Sequence, residues 1–294
     1  MKKNTKKIVT AAGIAAGTAA VASLSAYVTI KALIDTALDR EMPKVMEKAD
    51  KRISGEKSSD EFTNRMESAS ESLAVQPNET VEIIAHDGEK LVGHYFPCEK
   101  PERVIIAFHG WRSSWHRDFG MISDFWYKNN CSVLYVEQRG QNNSSGEYMG
   151  FGLTERFDCL DWLNWEIERC GSDIPVYLAG VSMGATTVLM AAGLQLPPNV
   201  HGIMADCGFT SANAIWEHIA KDNLHIRFGI RSAIADRMCR RKIQVGSKEH
   251  STVEALKHTH VPVILVHGAD DHFVPVEMTY ENYTACTAPK DLLI

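Results

Sequence analysis

A five-residue stretch, Gly180-Val181-Ser182-Met183-Gly184, carries the clearest chemistry in this 294-residue chain. The apolar run Val176-Tyr177-Leu178-Ala179 leads into it, and a small-residue, helix-forming segment from Thr186 to Leu196 follows. A tight turn between a buried strand and a helix strains the backbone of its middle residue, and only small neighbours fit beside it. Gly180 and Gly184 supply that room, and Ala185 extends it. The turn would present the Ser182 hydroxyl at the positive end of a helix, where a developing oxyanion is stabilised. Gly-x-Ser-x-Gly by itself recurs by chance in loops. The strand–turn–helix context is what makes Ser182 a candidate nucleophile.

The surrounding pattern supplies elements to hold that turn. Val81–Ile84 and Leu91–Phe96 read as strands flanking Asp87-Gly88, a hairpin signal. Arg103–Phe108 and Ser132–Val136 are continuous apolar runs of the kind buried on both sheet faces. Helical patterns at Phe119–Tyr127 and Thr154–Arg169 separate them from the run before Ser182. Gly202–Ala205, ending at Asp206, and Val261–Val266, ending at His267-Gly268, complete an alternation of strands and helices. That alternation predicts an α/β fold with a mostly parallel sheet and helices on both faces. Residues 211–259 show no clear strand and spread Trp216, Ile219, Ile226, Phe228, Ile230, Ile234 and Met238 among charges. They follow a strand end, where α/β sheets bind ligands, so a helical cap over the site is expected; two ordinary packing helices would give the same pattern.

In chain order, His109-Gly110-Trp111, the turn from Glu137 to Gly146, the Ser182 pentapeptide and His267-Gly268-Ala269-Asp270-Asp271-His272-Phe273-Val274-Pro275 resemble the motifs of the α/β-hydrolase superfamily. The likeness covers about residues 80–294 and is closest to bacterial membrane-anchored serine hydrolases, which also resemble prolyl-oligopeptidase-type catalytic domains. It implies a hydrolase, most simply of carboxylic esters, with Ser182 as nucleophile and the backbone N–H groups of Trp111 and Met183 as oxyanion hole. It also implies Asp271 as the acid that orients a histidine base, with Asp270 or Asp206 as alternatives. His109 matches a strand-end structural histidine. No cofactor and no metal are implied. A peptidase is the alternative activity, and a non-catalytic binding protein of the same fold is the rival outside enzymes. Dehalogenases and epoxide hydrolases are disfavoured, because they carry an aspartate where Ser182 stands.

Two departures matter. In the turn after the fourth strand, Glu137 replaces the usual Asp and Gln141-Asn142 a more usual His-Gly, while Arg139 and Gly140 are kept; we read this as structural variation. More seriously, the base should follow the eighth strand, yet only His272 follows Asp271, too close in sequence to bond it in triad geometry. Lys290–Ile294 reads as the start of that strand. The expectation is a C-terminally incomplete domain with little activity; a natural loss of the base is the alternative.

Composition sets the remaining bounds. Thirty-one basic against 37 acidic residues give a net charge of −6, and no basic stripe appears past the first residues, which argues against nucleic acid. Seven scattered cysteines lack CxxC or metal spacing and do not read as a disulfide framework. At the N-terminus, four lysines precede an uncharged run from Ile8 to Ile30, 23 residues by subtraction and long enough for a bilayer. The expected organisation is a membrane anchor over residues 1–32, a charged helical stalk, docked helix or solvated linker over 33–78, and the hydrolase domain over 79–294. The lysines predict a cytoplasmic N-terminus and an extracytoplasmic domain. A cleaved signal peptide ending near Ala20-Val21-Ala22, and hence a secreted protein, is the alternative.

Overall fold

The structure is a computed structural model that describes residues 25–42, 61–225, 228–229 and 231–294. An eight-stranded sheet organises it: β1 (Glu79–Ile84), β2 (Lys90–Phe96), β3 (Arg103–Phe108), β4 (Cys131–Glu137), β5 (Val176–Val181), β6 (Val200–Asp206), β7 (Val263–Val266) and β8 (Lys290–Leu293). The spatial order is β1-β2-β4-β3-β5-β6-β7-β8. β2 runs antiparallel to β1 and β4, and every later pairing is parallel. The hairpin expected at Asp87-Gly88 is therefore present, with Ile84 opposite Lys90.

Strand residues alternate between two cores, as a two-residue period requires. Val104, Ile106 and Phe108 face one cluster together with Trp162 and Leu163 of helix α4 (Glu155–Cys170) and Val188 of α5 (Met183–Ala191). Ile105 and Ala107 face the other, against Trp115, Phe119 and Trp126 of α3 (Trp115–Lys128) and Leu73 of α2 (Glu61–Ala74). Towards β7 this second face opens, and Ile264 is exposed.

A third cluster sits above the carboxyl ends of the strands. It combines residues of α6 (Ala212–His218) and α7 (Arg231–Ile243) with Phe151, Phe209 and Val274. Among the described residues, 211–259 thus hold helices and turns and no strand, with a π-helical turn (Ile219–Asn223) and a short α8 (Thr252–Leu256) beside α6 and α7. α9 (Val276–Ala285) joins β7 to β8.

The N-terminal segment enters the same cluster. Residues 25–38 are helical, here α1, and Ile30, Ile34 and Leu38 on one face are fully buried against the cap. Most of the Ile8–Ile30 run lies outside the described residues. Among the described residues no helix is long and apolar enough to cross a membrane. The last six residues of the run belong instead to α1, which crosses the division expected at residue 32 and packs on protein.

Candidate active site

Ser182 lies at the junction of β5 and α5 with φ 52° and ψ −112°, a left-handed backbone that costs a non-glycine residue about 1–3 kcal/mol. The surroundings hold it there. Its N–H donates to the Asp206 carbonyl at 2.8 Å, and its own carbonyl accepts from Thr186 N–H at 3.0 Å. The flanking glycines have the close approaches that the spacing predicts. A Cβ on Gly184 would come within 1.9 Å of the Phe108 carbonyl oxygen, and one on Gly180 within 2.3 Å of the Gly184 backbone. Close packing of α5 on the end of β3 therefore requires both.

The loop after β3 passes beside this serine: a Cβ built on Gly110 would stand 3.5 Å from the Ser182 Cβ. Asp118, in the first turn of α3, accepts from Gly110 N–H at 2.7 Å and from the Ser113 hydroxyl at 2.6 Å. Gln141 Oε1 accepts from Arg112 N–H at 2.6 Å. The N–H groups on either side of Trp111 are thus claimed by side chains, whereas among the described residues those of Trp111 and Met183 have no acceptor. Asp118 was not singled out from the sequence. An aspartate in a first helical turn is too common for its grip on a distant loop to be legible.

His109 is wholly buried. Its Nδ1 meets the Gly110 carbonyl at 2.7 Å, and its Nε2 lies 3.2 Å from Gln138 N–H. The Nδ1–H tautomer satisfies both bonds, and burial pushes its pKa down, so it stays neutral and structural. The unusual turn after β4 is likewise a brace. Arg139 pairs with Asp158 and, at 2.7 Å, with Asp87; Glu137 accepts from Asn143 N–H at 2.6 Å and meets His94 at 2.9 Å. Gln138 bonds the His109 carbonyl and accepts from Thr187 on α5 at 2.9 Å, tying the turn to the helix behind Ser182.

The candidate acids lie at neighbouring strand ends. Asp271 Oδ1 accepts from Phe273 N–H at 2.8 Å and Val274 N–H at 2.9 Å, which fixes the carboxylate. Asp206 pairs with Val181 across the β5–β6 ladder, next to Ser182. Crowding by surrounding protein, reinforced by the charges of Asp271 and Asp118, raises its pKa even though solvent still reaches the side chain. Asp270 is exposed. Among the described residues no hydrogen bond joins the Ser182 hydroxyl to a histidine. His267 is committed to Thr279 at 2.6 Å and the Val274 carbonyl at 2.8 Å, and His218 to Asp222 at 3.0 Å. The Cys207 thiol is no rival nucleophile, because burial raises its pKa and keeps it protonated. All seven cysteines are free.

Ser182 opens into a cavity of about 180 Å³ with an almost wholly apolar wall, including Trp111, Phe151, Phe209, Trp216 and Phe273. A possible metal trio, His86, Asp158 and Asp161, lies elsewhere, and the Arg139 cation already occupies Asp158.

No family model matches the chain. Over 206 residues it is 24% identical to the Bacillus subtilis protein YqkD, described only as uncharacterized; the match covers 68% of this chain and 65% of that one, just under two thirds of the relative's length. Among solved structures, the Pyrococcus furiosus esterase Pf2001 superposes with a TM-score of 0.59 at 19% identity, over 76% of this chain and 83% of that one. The Pyrococcus horikoshii acylaminoacyl peptidase does so with a TM-score of 0.54 at 14% identity, over 76% of this chain but 38% of the peptidase. This chain has the α/β-hydrolase fold. An esterase and a peptidase are among its structural neighbours, and at these identities the likeness carries the fold and no substrate.

Proposed function

We propose that this protein is a serine hydrolase that cleaves carboxylic esters through an acyl-enzyme on Ser182. The observation that carries the reading is a strained serine at the mouth of an apolar cavity, next to two backbone N–H groups without acceptors. The Ser182 Oγ would attack the ester carbonyl while its proton passes to a base. Charge then develops on the carbonyl oxygen, and the Trp111 and Met183 N–H groups would stabilise it. Collapse expels the alcohol, and water releases the acid. Asp271, held by two backbone N–H groups, is the carboxylate we assign to orient the imidazole. No described histidine is placed to serve as that base, so slow turnover is expected of the 294-residue chain.

A peptidase draws support from the acylaminoacyl peptidase likeness, although the chain matches little more than a third of that enzyme. The apolar cavity favours an ester with an apolar group over a peptide. The test is labelling by a fluorophosphonate probe with identification of the modified residue. Labelling on Ser182 that disappears in Ser182→Ala is expected. The protein at its full natural length, folded yet never labelled there, would instead favour a non-catalytic binding role.

We also propose attachment to a membrane, from the four N-terminal lysines and the apolar run after them. Because α1 takes residues 25–30, Ile8 to Leu24 remain, 17 residues by subtraction and near the lower limit for a span. Release of the full chain from membranes by alkaline carbonate would count against this.

A further inference from the structure

We propose that the N-terminal strap, α1 with residues 39–42, is a wall of the substrate cavity and sets the length of the apolar chain that the site accepts. The inference rests on the hydrolase reading for its chemistry, but on the cavity alone for its geometry. Leu33, Thr36, Ala37 and Met42 line the same cavity as Ser182, together with aromatic side chains from the loops and the cap. A cavity closed partly by a segment outside the sheet has a boundary that can change without disturbing the elbow.

The strap is bolted to the loop that carries the proposed oxyanion donor. The Trp111 indole N–H donates to the Ala37 carbonyl at 2.9 Å. The Arg112 guanidinium donates to three strap carbonyls: Thr36 at 3.1 Å, Asp39 at 2.5 Å and Arg40 at 2.9 Å. Arg40 answers with donations to the carbonyls of Ser144 and Asn142, each at 2.6 Å, on the turn after β4. Met149 N–H meets the Leu38 carbonyl at 2.7 Å, and Lys242 on the cap pairs with Asp39 at 2.5 Å and Asp35 at 3.2 Å. Loop, turn and cap thus all grip one segment, which fixes Leu33 and Thr36 relative to Ser182. A solvated linker would show none of these bonds.

The cavity size sets the substrate class. With about 180 Å³ of room and almost wholly apolar walls, the cavity suits an unbranched apolar chain. Each methylene that finds room is worth about fourfold in affinity, and one that does not is worth nothing or less. Esters with an unbranched apolar group are therefore the favoured class, and the strap decides how long that group can be.

The experiment measures chain-length preference on the full chain in two independent ways. Binding of 1-hexanol and 1-decanol is followed by tryptophan fluorescence, since Trp111 and Trp216 line the cavity. Hydrolysis of 4-nitrophenyl acyl esters of two to ten carbons is compared with that of alkyl acetates of the same lengths, which tells an acyl site from an alcohol site. Leu33→Ala, and separately Met42→Ala, should favour decanol over hexanol by about tenfold relative to the unmodified chain. Thr36→Phe should weaken hexanol binding by a similar factor. Circular dichroism checks that each variant is folded. A hexanol-to-decanol ratio unchanged in folded variants overturns the wall assignment, even if Ser182 still labels. A ratio that moves while Ser182 never labels keeps the wall, because alcohol binding needs neither the nucleophile nor its base.

Discussion

Each residue in the site has a distinct job that its bonds reveal. Ser182 is strained, and the bonds to Asp206 and Thr186 hold it in that conformation. Asp271 is fixed by two N–H groups, whereas Asp206 lacks such a cradle and shares its surroundings with two other carboxylates. Where a histidine base engages the site, Asp271→Asn should therefore slow fluorophosphonate labelling by on the order of 10³-fold or more, because the acid acts through the imidazole it orients. In the 294-residue chain, where no described histidine does so, the change should be less than about tenfold. Asp206→Asn should slow it less than about tenfold; the reverse ranking would transfer the acid to Asp206. A second titratable residue outside the site is equally specific. Glu166 on α4 is buried, and neither carboxylate oxygen accepts a hydrogen bond among the described residues. Burial, only partly offset by the Cys170 thiol and the Arg169 charge, pushes its pKa up to about 7.

At the scale of elements, the strap and the elbow stand in contrast. The elbow is held by contacts with no free space, and Gly184→Ala would drive a methyl into the Phe108 carbonyl. The strap is held by polar clasps at its edge and by Ile30, Ile34 and Leu38 underneath. Arg112→Ala removes three donations to strap carbonyls, at a cost of roughly 1–3 kcal/mol, and should leave the sheet intact. Amide hydrogen exchange over residues 25–42 should then speed up at least tenfold, while β3 and β5 stay protected. Equal loosening everywhere would show Arg112 to be a general stability residue. The clasp also carries a pH dependence. Against its partial burial, Lys31 and Lys242 hold the Asp35 carboxyl below its usual range, so this contribution is full above about pH 4 and is lost as pH falls through the depressed pKa.

For the whole molecule, Glu166 makes global stability depend on pH in the opposite sense to an ion-paired acid. A raised folded pKa means the folded state holds a proton that the unfolded chain has released. Stability therefore falls as pH rises from the ordinary glutamate value of 4.5 to about 7, and stays lower above it. Glu166→Gln should stabilise the protein at pH 8, by up to about 3 kcal/mol, and have little effect at pH 4. Urea unfolding at both pH values checks this, and an equal effect at both would mean that packing, not charge, sets the difference. The same global view sharpens the membrane question: α1 diverts part of the apolar N-terminal run into the protein core, where Ile30 is fully buried.

Local pattern was enough for the sheet and for the strained strand–helix turn at Ser182, because strand burial, a two-residue period and the small residues around a strained turn are written in adjacent positions. The structural roles expected of His109 and of the Glu137–Gly146 turn also follow from position at strand ends. What the sequence could not determine depends on pairs far apart in the chain. The grip of Asp118 on Gly110, the triple donation of Arg112 to the strap, and the placement of Leu33 and Met42 beside Ser182 join residues brought together only by the fold. Residues 33–42 read in the sequence as charged and roughly helical, a description that suits a stalk as well as a wall. Tertiary structure docked it, because Ile30, Ile34 and Leu38 on one face of α1 are buried in the cluster beneath the cap, which a solvated stalk would leave in water.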